Sequence, residues 1–366
     1  MRFLYYCNST YQLMNILNLH DQRKHAGFES LRDYTGELMV QDSFEGASAI
    51  AKIIEEKGYF NKVFLVNKAF NNGGFHTLQT LIDQLFPAHY LSDKYHLNSN
   101  EIKDRYDVIC APKYSMLIDQ IWRLNRKASM HLLEDGIGTY SYSILFYPRS
   151  KRIEQFRKIL KVNRFENYER LYLVNPAMYA GEHLERVHEL PRFEPSFLNE
   201  IRQAFLSFSE GYEEKKIYWL SQFLNNEEFN RMMAEVLKTF VDHKEDVLFC
   251  QHPRTPMKNV HGFAETDGKQ IFELLMLNMH DIDKKLFVAI HSTACFTPKM
   301  LYDKEPYVLM FYRLGDPAVT YATKEFEECV ARFKASYSDP DKIMIPNDLE
   351  EFKECFRKYC EKEGLE

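Results

Sequence analysis

Two consecutive carboxylates follow an apolar run near the middle of the chain. Glu134 and Asp135 come directly after residues 130–133 and are followed by Gly136. Adjacent carboxylates repel each other, which raises the pKa of one of them and makes it a better general base near neutral pH. Because side chains alternate between faces along a strand, only one of the pair would face a substrate. The alternative is an ordinary Asp-Gly turn after a strand.

A histidine follows a second apolar run, in the sequence Gln251-His252-Pro253-Arg254. Proline restricts the residue before it to an extended backbone, which pre-orients the imidazole of His252. With an ordinary pKa of about 6.5, this side chain can donate a proton or pair with a phosphate. The alternative is a solvent-facing histidine in a strand-end turn.

Two hydroxyl residues follow a third apolar run, in the sequence His291-Ser292-Thr293, where a helical pattern begins. Hydroxyls and free amides at the start of a helix form an anion site. Simple N-capping by Ser292 explains the same residues equally well. Glu273 lies within an apolar helical stretch, and the pattern places it on an exposed face unless something holds it inward.

Short β-rich runs alternate with segments of helical period, which predicts an α/β protein of parallel sheets covered by helices. The predicted strands are residues 2–7, 38–41, 63–66, 108–111, 129–133, 216–220, 246–250, 286–291 and 307–311. Prolines and a glycine within 175–195 indicate a connector. We therefore predict two doubly wound, Rossmann-like domains at 1–175 and 196–345, a C-terminal helix within 346–366, and a ligand cleft at the carboxyl ends of both sheets.

The composition argues against several classes of protein. With 47 Lys and Arg against 53 Asp and Glu in 366 residues, the net charge of −6 does not suit a nucleic-acid-binding protein. No run approaches the roughly 20 apolar residues that cross a bilayer. The seven cysteines contain no Cys-x-x-Cys pair and indicate the reducing cytoplasm. The histidines lack metal-ligand spacing, so we expect no metal site.

One basic amphipathic stretch lies within residues 149–170. A solvated helix face is its simplest explanation, and the alternative is contact with anionic lipid headgroups or an anionic acceptor. Lipid contact would attach the protein peripherally to the inner face of the cytoplasmic membrane. The aromatic content of 14 % would also suit a homodimer interface.

Taken in chain order, the acid-acid-Gly, His-Pro and Ser-Thr strand ends together resemble the motif set of bacterial sialyltransferases with GT-B architecture. The resemblance is greatest to glycosyltransferase family 52, the lipooligosaccharide and capsule sialyltransferases. The opening residues Tyr5 to Leu13 are also similar to that family's first strand and loop. The resemblance implies inverting transfer of sialic acid from CMP-sialic acid to a terminal sugar of a bacterial surface glycan, with galactose as the first choice. It implies no metal and no cofactor besides the donor. The binding partners that it implies for the protein are a nucleotide sugar and a glycan acceptor.

The same resemblance implies roles for individual residues. Glu134 would remove the acceptor proton, with Asp135 as second choice because the family has Asp where this chain has Glu134. His252 would protonate or hydrogen-bond the departing phosphate. Ser292 and Thr293 would hold that phosphate, and the ribose hydroxyls would be bound by Glu273. Further donor-side residues would be Gly136, Pro253, Arg254 and His291, and acceptor-side residues would be Asn8, Ser9, Thr10, Gln12 and Gln222.

Two alternatives stay open on the sequence. GT-B folds accept many donors, so the first is a sister glycosyltransferase that uses another nucleotide sugar. The second is a non-catalytic binding protein of a glycan-assembly complex, which would be favoured if Glu134 and Asp135 faced away from the predicted cleft.

Overall fold

Most strands of the protein are short apolar runs, as is typical of parallel sheets covered on both faces. Val108–Ala111 and Val247–Cys250, for example, are buried at every position. The computed structural model describes residues 1–25, 27–31, 33–67, 85–113, 115–140, 168–206, 212–222, 226–252, 257–266, 272–320 and 322–365.

The described strands form two all-parallel sheets. The strands of the first sheet are β1 (Arg2–Cys7), β2 (Thr35–Asp42), β3 (Lys62–Asn67), β4 (Val108–Ala111), β5 (Ser129–Leu133), β6 (Arg170–Leu173) and β7 (Val187–Glu189), in the spatial order β3-β2-β1-β4-β5-β6-β7. The strands of the second are β8 (Ile217–Leu220), β9 (Val247–Cys250), β10 (Ala264–Glu265), β11 (Leu286–Ala289), β12 (Tyr307–Met310) and β13 (Ile343–Met344), in the order β10-β9-β8-β11-β12-β13.

The two strand orders are the same doubly wound pattern. In each sheet the order reverses beside the first strand, between β1 and β4 and between β8 and β11. Ligands of such folds bind outside the carboxyl ends of the strands near this reversal. The prediction of two Rossmann-like, parallel-sheet halves is therefore confirmed.

Helices connect the strands. The described helices are α1 (Thr10–Lys24), α2 (Ala47–Glu56), α3 (Pro87–Tyr95), α4 (Met116–Leu124), α5 (Ile137–Tyr140), α6 (Pro195–Ala204), α7 (Glu227–Lys238), α8 (Phe272–Asn278), α9 (Thr297–Tyr302), α10 (Pro317–Thr320), α11 (Lys324–Ala335) and α12 (Leu349–Glu363). Several begin at the side-chain caps that their sequences predict, including Ser9 for α1 and Asp348 for α12.

The chain folds as two units. Unit 1 comprises Met1–Asp135, Ser143–Pro176 and Gly181–Leu198. Unit 2 comprises Gly136–Tyr142, Ala177–Ala180 and Asn199–Glu366. The acid motif thus contributes Glu134 and Asp135 to unit 1 and its glycine to unit 2.

The strands predicted from apolar runs are confirmed, whereas four others were not predicted. The stretch 175–195, predicted as a connector, also contains β7, which pairs with β6 through Leu171–Val187 and its neighbours. Only three residues of β7 pair, and its alternating pattern is too short to read. The two-residue strands β10 and β13 escape prediction for the same reason.

The basic stretch within 149–170 lies outside the described residues as far as residue 167. Its last residue, Arg170, begins β6 and forms an ion pair with Glu29. None of the helices in the described ranges combines the length and the apolar character that crossing a bilayer requires.

Candidate active site

Glu134 occupies the first position after β5, at the carboxyl end of the first sheet. Its side chain is fully buried. Oε2 accepts a hydrogen bond of 2.7 Å from the backbone N–H of Val174, which follows β6. Oε1 accepts one from the hydroxyl of Tyr11 in the first turn of α1. The carboxylate is therefore held by donors from two other elements of unit 1.

Asp135 is held in a similar way but is less buried, with 16 % of its side chain exposed. Lys113, which follows β4, places Nζ 2.7 Å from Oδ2. The side-chain amide of Gln12 donates to Oδ1. An ammonium group thus compensates the charge of Asp135, whereas the two donors described on Glu134 are uncharged.

The polar residues after β1 build the start of α1. Ser9 is the N-cap and accepts from the backbone N–H of Gln12 at 3.4 Å. Gln12 Oε1 accepts from the backbone N–H of Asn8 at 2.8 Å, which turns its amide nitrogen toward Asp135. Thr10 is half-buried as the first residue of α1. Gln12, predicted as an acceptor ligand, is therefore a direct partner of the acid motif.

Gly136 adopts a backbone that requires glycine, with φ of +86°. A Cβ at this position would lie 2.6 Å from Thr293 Oγ1, so the glycine also permits close approach to that side chain. The backbone N–H of Ile137 donates to Thr293 Oγ1 at 3.4 Å. The structure therefore brings the glycine of the acid motif onto the second hydroxyl residue of the Ser-Thr motif, within unit 2.

His252 follows β9 at the carboxyl end of the second sheet. Its backbone N–H donates to Ser221 Oγ at 2.9 Å, and Ser221 itself follows β8. This bond fixes the backbone that carries the imidazole. Pro253 and Arg254, the next two predicted residues, lie outside the described residues.

Gln222 and His291 meet where the strand order of the second sheet reverses. The backbone N–H of His291 donates to Gln222 Oε1 at 3.0 Å. Burial lowers the pKa of His291 to about 4, so its imidazole is neutral at pH 7. Ser292 caps the short 3-10 turn that follows, accepting from the backbone N–H of Ala294 at 3.2 Å. Its hydroxyl proton can still be donated.

Glu273 is buried in α8, with 6 % of the residue exposed, so the expectation of an exposed face is wrong. The hydroxyl of Tyr302 in α9 donates to the backbone carbonyl of Glu273 at 2.8 Å. Burial raises the pKa of Tyr302, and the charge of Glu273 raises it further.

Sequence reasoning missed Tyr11, Lys113 and Ser221. Ser221 directly follows β8 and Lys113 is the second residue after β4, as His252 is after β9, so the strand-end reasoning that found His252 could have found them. Tyr11 stands between residues that were predicted, but nothing in the sequence indicates that it reaches Glu134, 123 positions away. Among the described residues, no group of three or more His, Cys, Asp or Glu side chains is arranged to hold a metal ion.

Comparison with protein-family models gives a match over most of the chain. A family model described as Alpha-2,8-polysialyltransferase (POLYST) matches residues 3–303. No curated protein is significantly similar in sequence.

Solved structures resemble this chain to different degrees. The UDP-GlcNAc 2-epimerase from Neisseria meningitidis bound to UDP-GlcNAc is 12 % identical with a TM-score of 0.51, over 99 % of this chain and 94 % of its own. The spinosyn rhamnosyltransferase SpnG is 11 % identical with a TM-score of 0.48, over 99 % of this chain and 91 % of its own. The E. coli heptosyltransferase WaaC with ADP is 12 % identical with a TM-score of 0.42, over 99 % of this chain and 100 % of its own. The two doubly wound parallel sheets and the similarity to the epimerase confirm the predicted GT-B fold class.

Proposed function

Because this chain belongs to the alpha-2,8-polysialyltransferase family of glycosyltransferases, we propose that it transfers sialic acid from CMP-sialic acid to a sugar hydroxyl of a bacterial surface glycan, with inversion. The observation that carries the proposal is the acid motif at the carboxyl end of β5, where Glu134 and Asp135 are fixed by donors from α1, β4 and β6. A solvent-facing Asp-Gly turn would not need such support.

Glu134 takes the role of general base in this proposal, and Asp135 that of its charged neighbour. Two donors from different elements hold the Glu134 carboxylate, which suits a group that must meet one proton in one orientation. Lys113 lies on Asp135, whereas Tyr11 and Val174 donate to Glu134. Asp135 is already ion-paired with Lys113, so Glu134 is taken as the base, in the order that the motif resemblance implies.

The donor side of the proposal uses unit 2. The acceptor oxygen forms a bond to the anomeric carbon as the bond from that carbon to the phosphate oxygen breaks. The acceptor proton goes to Glu134, and the electron pair leaves on the phosphate. His252 donates a proton or hydrogen bond to that phosphate, and the hydroxyls of Ser292 and Thr293 donate hydrogen bonds to it.

The remaining donor-side roles follow the resemblance. Neutral His291 would offer a hydrogen bond without adding charge. Gln222, which accepts from the backbone N–H of His291, stays on the acceptor side. The ribose contact stays with Glu273, and Gly136, Pro253 and Arg254 complete the donor side. No metal or further cofactor is part of the proposed reaction.

The terminal sugar of the acceptor is galactose or sialic acid. Galactose follows from the resemblance to the lipooligosaccharide enzymes, and sialic acid in α2,8 linkage from the description of the matching family. Asn8, Ser9 and Thr10, which follow β1, belong to the acceptor side in this proposal.

Release of free nucleotide tests the donor. CMP-sialic acid, UDP-GlcNAc, UDP-galactose and GDP-mannose would each be incubated with the enzyme and EDTA, with no acceptor, with a galactose-terminated acceptor or with a sialic-acid-terminated one. We expect CMP release from CMP-sialic acid that rises with one of the acceptors. Turnover of a UDP- or GDP-sugar instead would contradict CMP-sialic acid as the donor. The absence of nucleotide release with every donor would favour a non-catalytic binding protein.

Membrane attachment and dimerisation are two further proposals. Attachment would use the cations within 149–170, and it predicts that the protein co-sediments with vesicles containing anionic phosphatidylglycerol but not with pure phosphatidylcholine. Replacing the lysines and arginines of 149–164 by glutamine should abolish that binding.

Dimerisation predicts about twice the monomer mass of 43.6 kDa in light scattering.

A further inference from the structure

Two adjacent side chains in the first turn of α1 hydrogen-bond the two adjacent acids of the motif. Tyr11 donates to Glu134 and the next residue, Gln12, donates to Asp135. Two consecutive helical residues therefore bind two consecutive residues after a strand, across 123 positions of sequence in each case. The backbone pairing of β1, β4 and β5 already holds the sheet together at this edge.

The turn that carries these donors is itself fixed. The side chain of Ser9 caps the helix, and its carbonyl accepts from Leu13 N at 3.1 Å. Gln12 can present only its amide nitrogen to Asp135, because Asn8 N occupies its oxygen at 2.8 Å. Donors on a rigid turn can set the orientation of a carboxylate to a few tenths of an ångström, which is the scale that matters for proton transfer.

Tyr11 is the more informative of the two donors. Glu134 is fully buried and Tyr11 is 6 % exposed, so water cannot freely replace the hydroxyl if it is lost. Asp135, in contrast, is partly exposed and also bound by Lys113. The loss of one donor should therefore disturb Glu134 more than Asp135.

We infer that Tyr11 is a positioning residue for sialyl transfer: its hydroxyl holds the Glu134 carboxylate in the orientation that receives the acceptor proton. The inference rests on the proposed function, since it assigns the proton to Glu134. Tyr11 acts through Glu134 and touches neither donor nor acceptor in this account. Its loss should lower kcat and leave the KM for CMP-sialic acid unchanged.

Unit 1 offers a matched control. Tyr106 is also a buried tyrosine whose hydroxyl donates to a buried glutamate, at 2.8 Å from Glu37 Oε2. Tyr106 precedes β4 and Glu37 lies early in β2, so this pair is at the amino ends of the strands. Replacing either tyrosine by phenylalanine removes one hydroxyl and one hydrogen bond to a carboxylate.

The experiment compares Tyr11→Phe and Tyr106→Phe in the full-length enzyme, by CMP release with CMP-sialic acid and its preferred acceptor. We expect Tyr11→Phe to lower kcat about 10-fold with an unchanged donor KM, and Tyr106→Phe to leave both constants within about 2-fold. Thermal unfolding should show similar losses of Tm for the two variants, because each leaves one buried carboxylate with one donor fewer.

A double-mutant cycle with Glu134→Asp tests whether Tyr11 acts through Glu134. If Glu134→Asp and Tyr11→Phe each cost about 10-fold, we expect the double variant to lose far less than the 100-fold of independent effects. Fully multiplicative losses, or equal losses of kcat in Tyr11→Phe and Tyr106→Phe, would overturn the positioning role.

The outcomes separate this inference from the proposed function. An active wild-type enzyme whose kcat is insensitive to Tyr11→Phe overturns the inference and leaves sialyl transfer standing. A wild-type enzyme that releases no CMP from CMP-sialic acid under any acceptor condition overturns both.

Discussion

The carboxyl ends of the two sheets have the same strand order but hold their polar residues in different ways. In unit 1 the reactive groups are side-chain carboxylates, and side chains from α1 and the end of β4 hold them over long sequence separations. In unit 2 the backbone N–H groups of His252 and His291 donate to the side chains of Ser221 and Gln222, and the ring of His291 packs against Phe326. The hydrogen bonds described in unit 1 thus reach the carboxylates themselves, whereas those described in unit 2 reach the backbone that carries each imidazole.

The difference suits the two chemical tasks. A general base works only when its carboxylate meets one proton in one orientation. A phosphate group presents several oxygens in many directions, so donors around it tolerate more freedom. We therefore expect activity to be more sensitive to small changes in unit 1 than in unit 2.

The largest effect should come from Glu134→Gln. This change keeps the size of the side chain and one acceptor oxygen but replaces the other oxygen by an amide NH2, so the proton acceptor is lost and transfer should fall about 1,000-fold. CMP affinity, measured by calorimetry, should be unchanged. Asp135→Asn is the matched variant next to it, and a larger loss there than in Glu134→Gln would reverse the roles of the two acids.

His252→Ala should give the next largest loss, about 100-fold in kcat, because the departing phosphate loses a proton donor. The control is His243→Ala in the same unit, whose ring packs on Phe356 before β9 begins. It should retain full activity in the CMP-release assay. Unchanged transfer in His252→Ala would show that the leaving group is stabilised elsewhere.

Gly136→Ala should affect stability more than any other glycine substitution at a similar φ. Its left-handed backbone costs about 1–2 kcal/mol for alanine, and the overlap with Thr293 adds about 1–3 kcal/mol. Gly58→Ala is the control, because φ is +65° there and no atom lies within 4 Å of the added Cβ. Urea unfolding measures the loss of stability in both glycine variants. In the Gly136→Ala background, Thr293→Ala should restore the part of the stability that is lost through the overlap with Thr293. Equal losses at Gly58 and Gly136 would contradict the close contact.

The smallest effect is a difference in the pH dependence of stability. In unit 1 burial lowers the pKa of His20 to about 3, and burial together with Arg23 and Arg170 lowers that of His131 to about 3. These groups are neutral when folded and take up protons when unfolded below about pH 6.5. The stability that these two neutral histidines give the folded protein is therefore fully present above about pH 6.5. It is lost as the pH falls toward 3.

The substitution His131→Gln removes one of these groups. It should flatten the fall in the free energy of unfolding by up to about 1.4 kcal/mol per pH unit between about pH 6 and 4. His25→Gln is the control, because the side chain of His25 is 63 % exposed. Identical slopes in the two variants, measured by urea unfolding, would contradict the role of buried histidine.

The same contrast explains how far the sequence could predict the site. Apolar runs located most strands, and polar residues directly after them located the acid, His-Pro and Ser-Thr motifs. His252 and Gln222 contact residues at the ends of adjacent strands. Reasoning from strand ends can predict that such residues lie close together. The partnership of Tyr11 with Glu134 depends on how α1 packs against the end of β5, and no local pattern records it. Glu273 was misjudged because an apolar surrounding was taken to leave it outside, whereas α8 buries it.

The most direct test of the account is the anomeric configuration of the product, followed by NMR with CMP-sialic acid and the preferred acceptor. We expect a single product with inverted configuration, formed by the wild-type enzyme in EDTA and abolished by Glu134→Gln. A product that retains the donor's configuration, or one that Glu134→Gln forms at the wild-type rate, would contradict direct displacement assisted by this carboxylate.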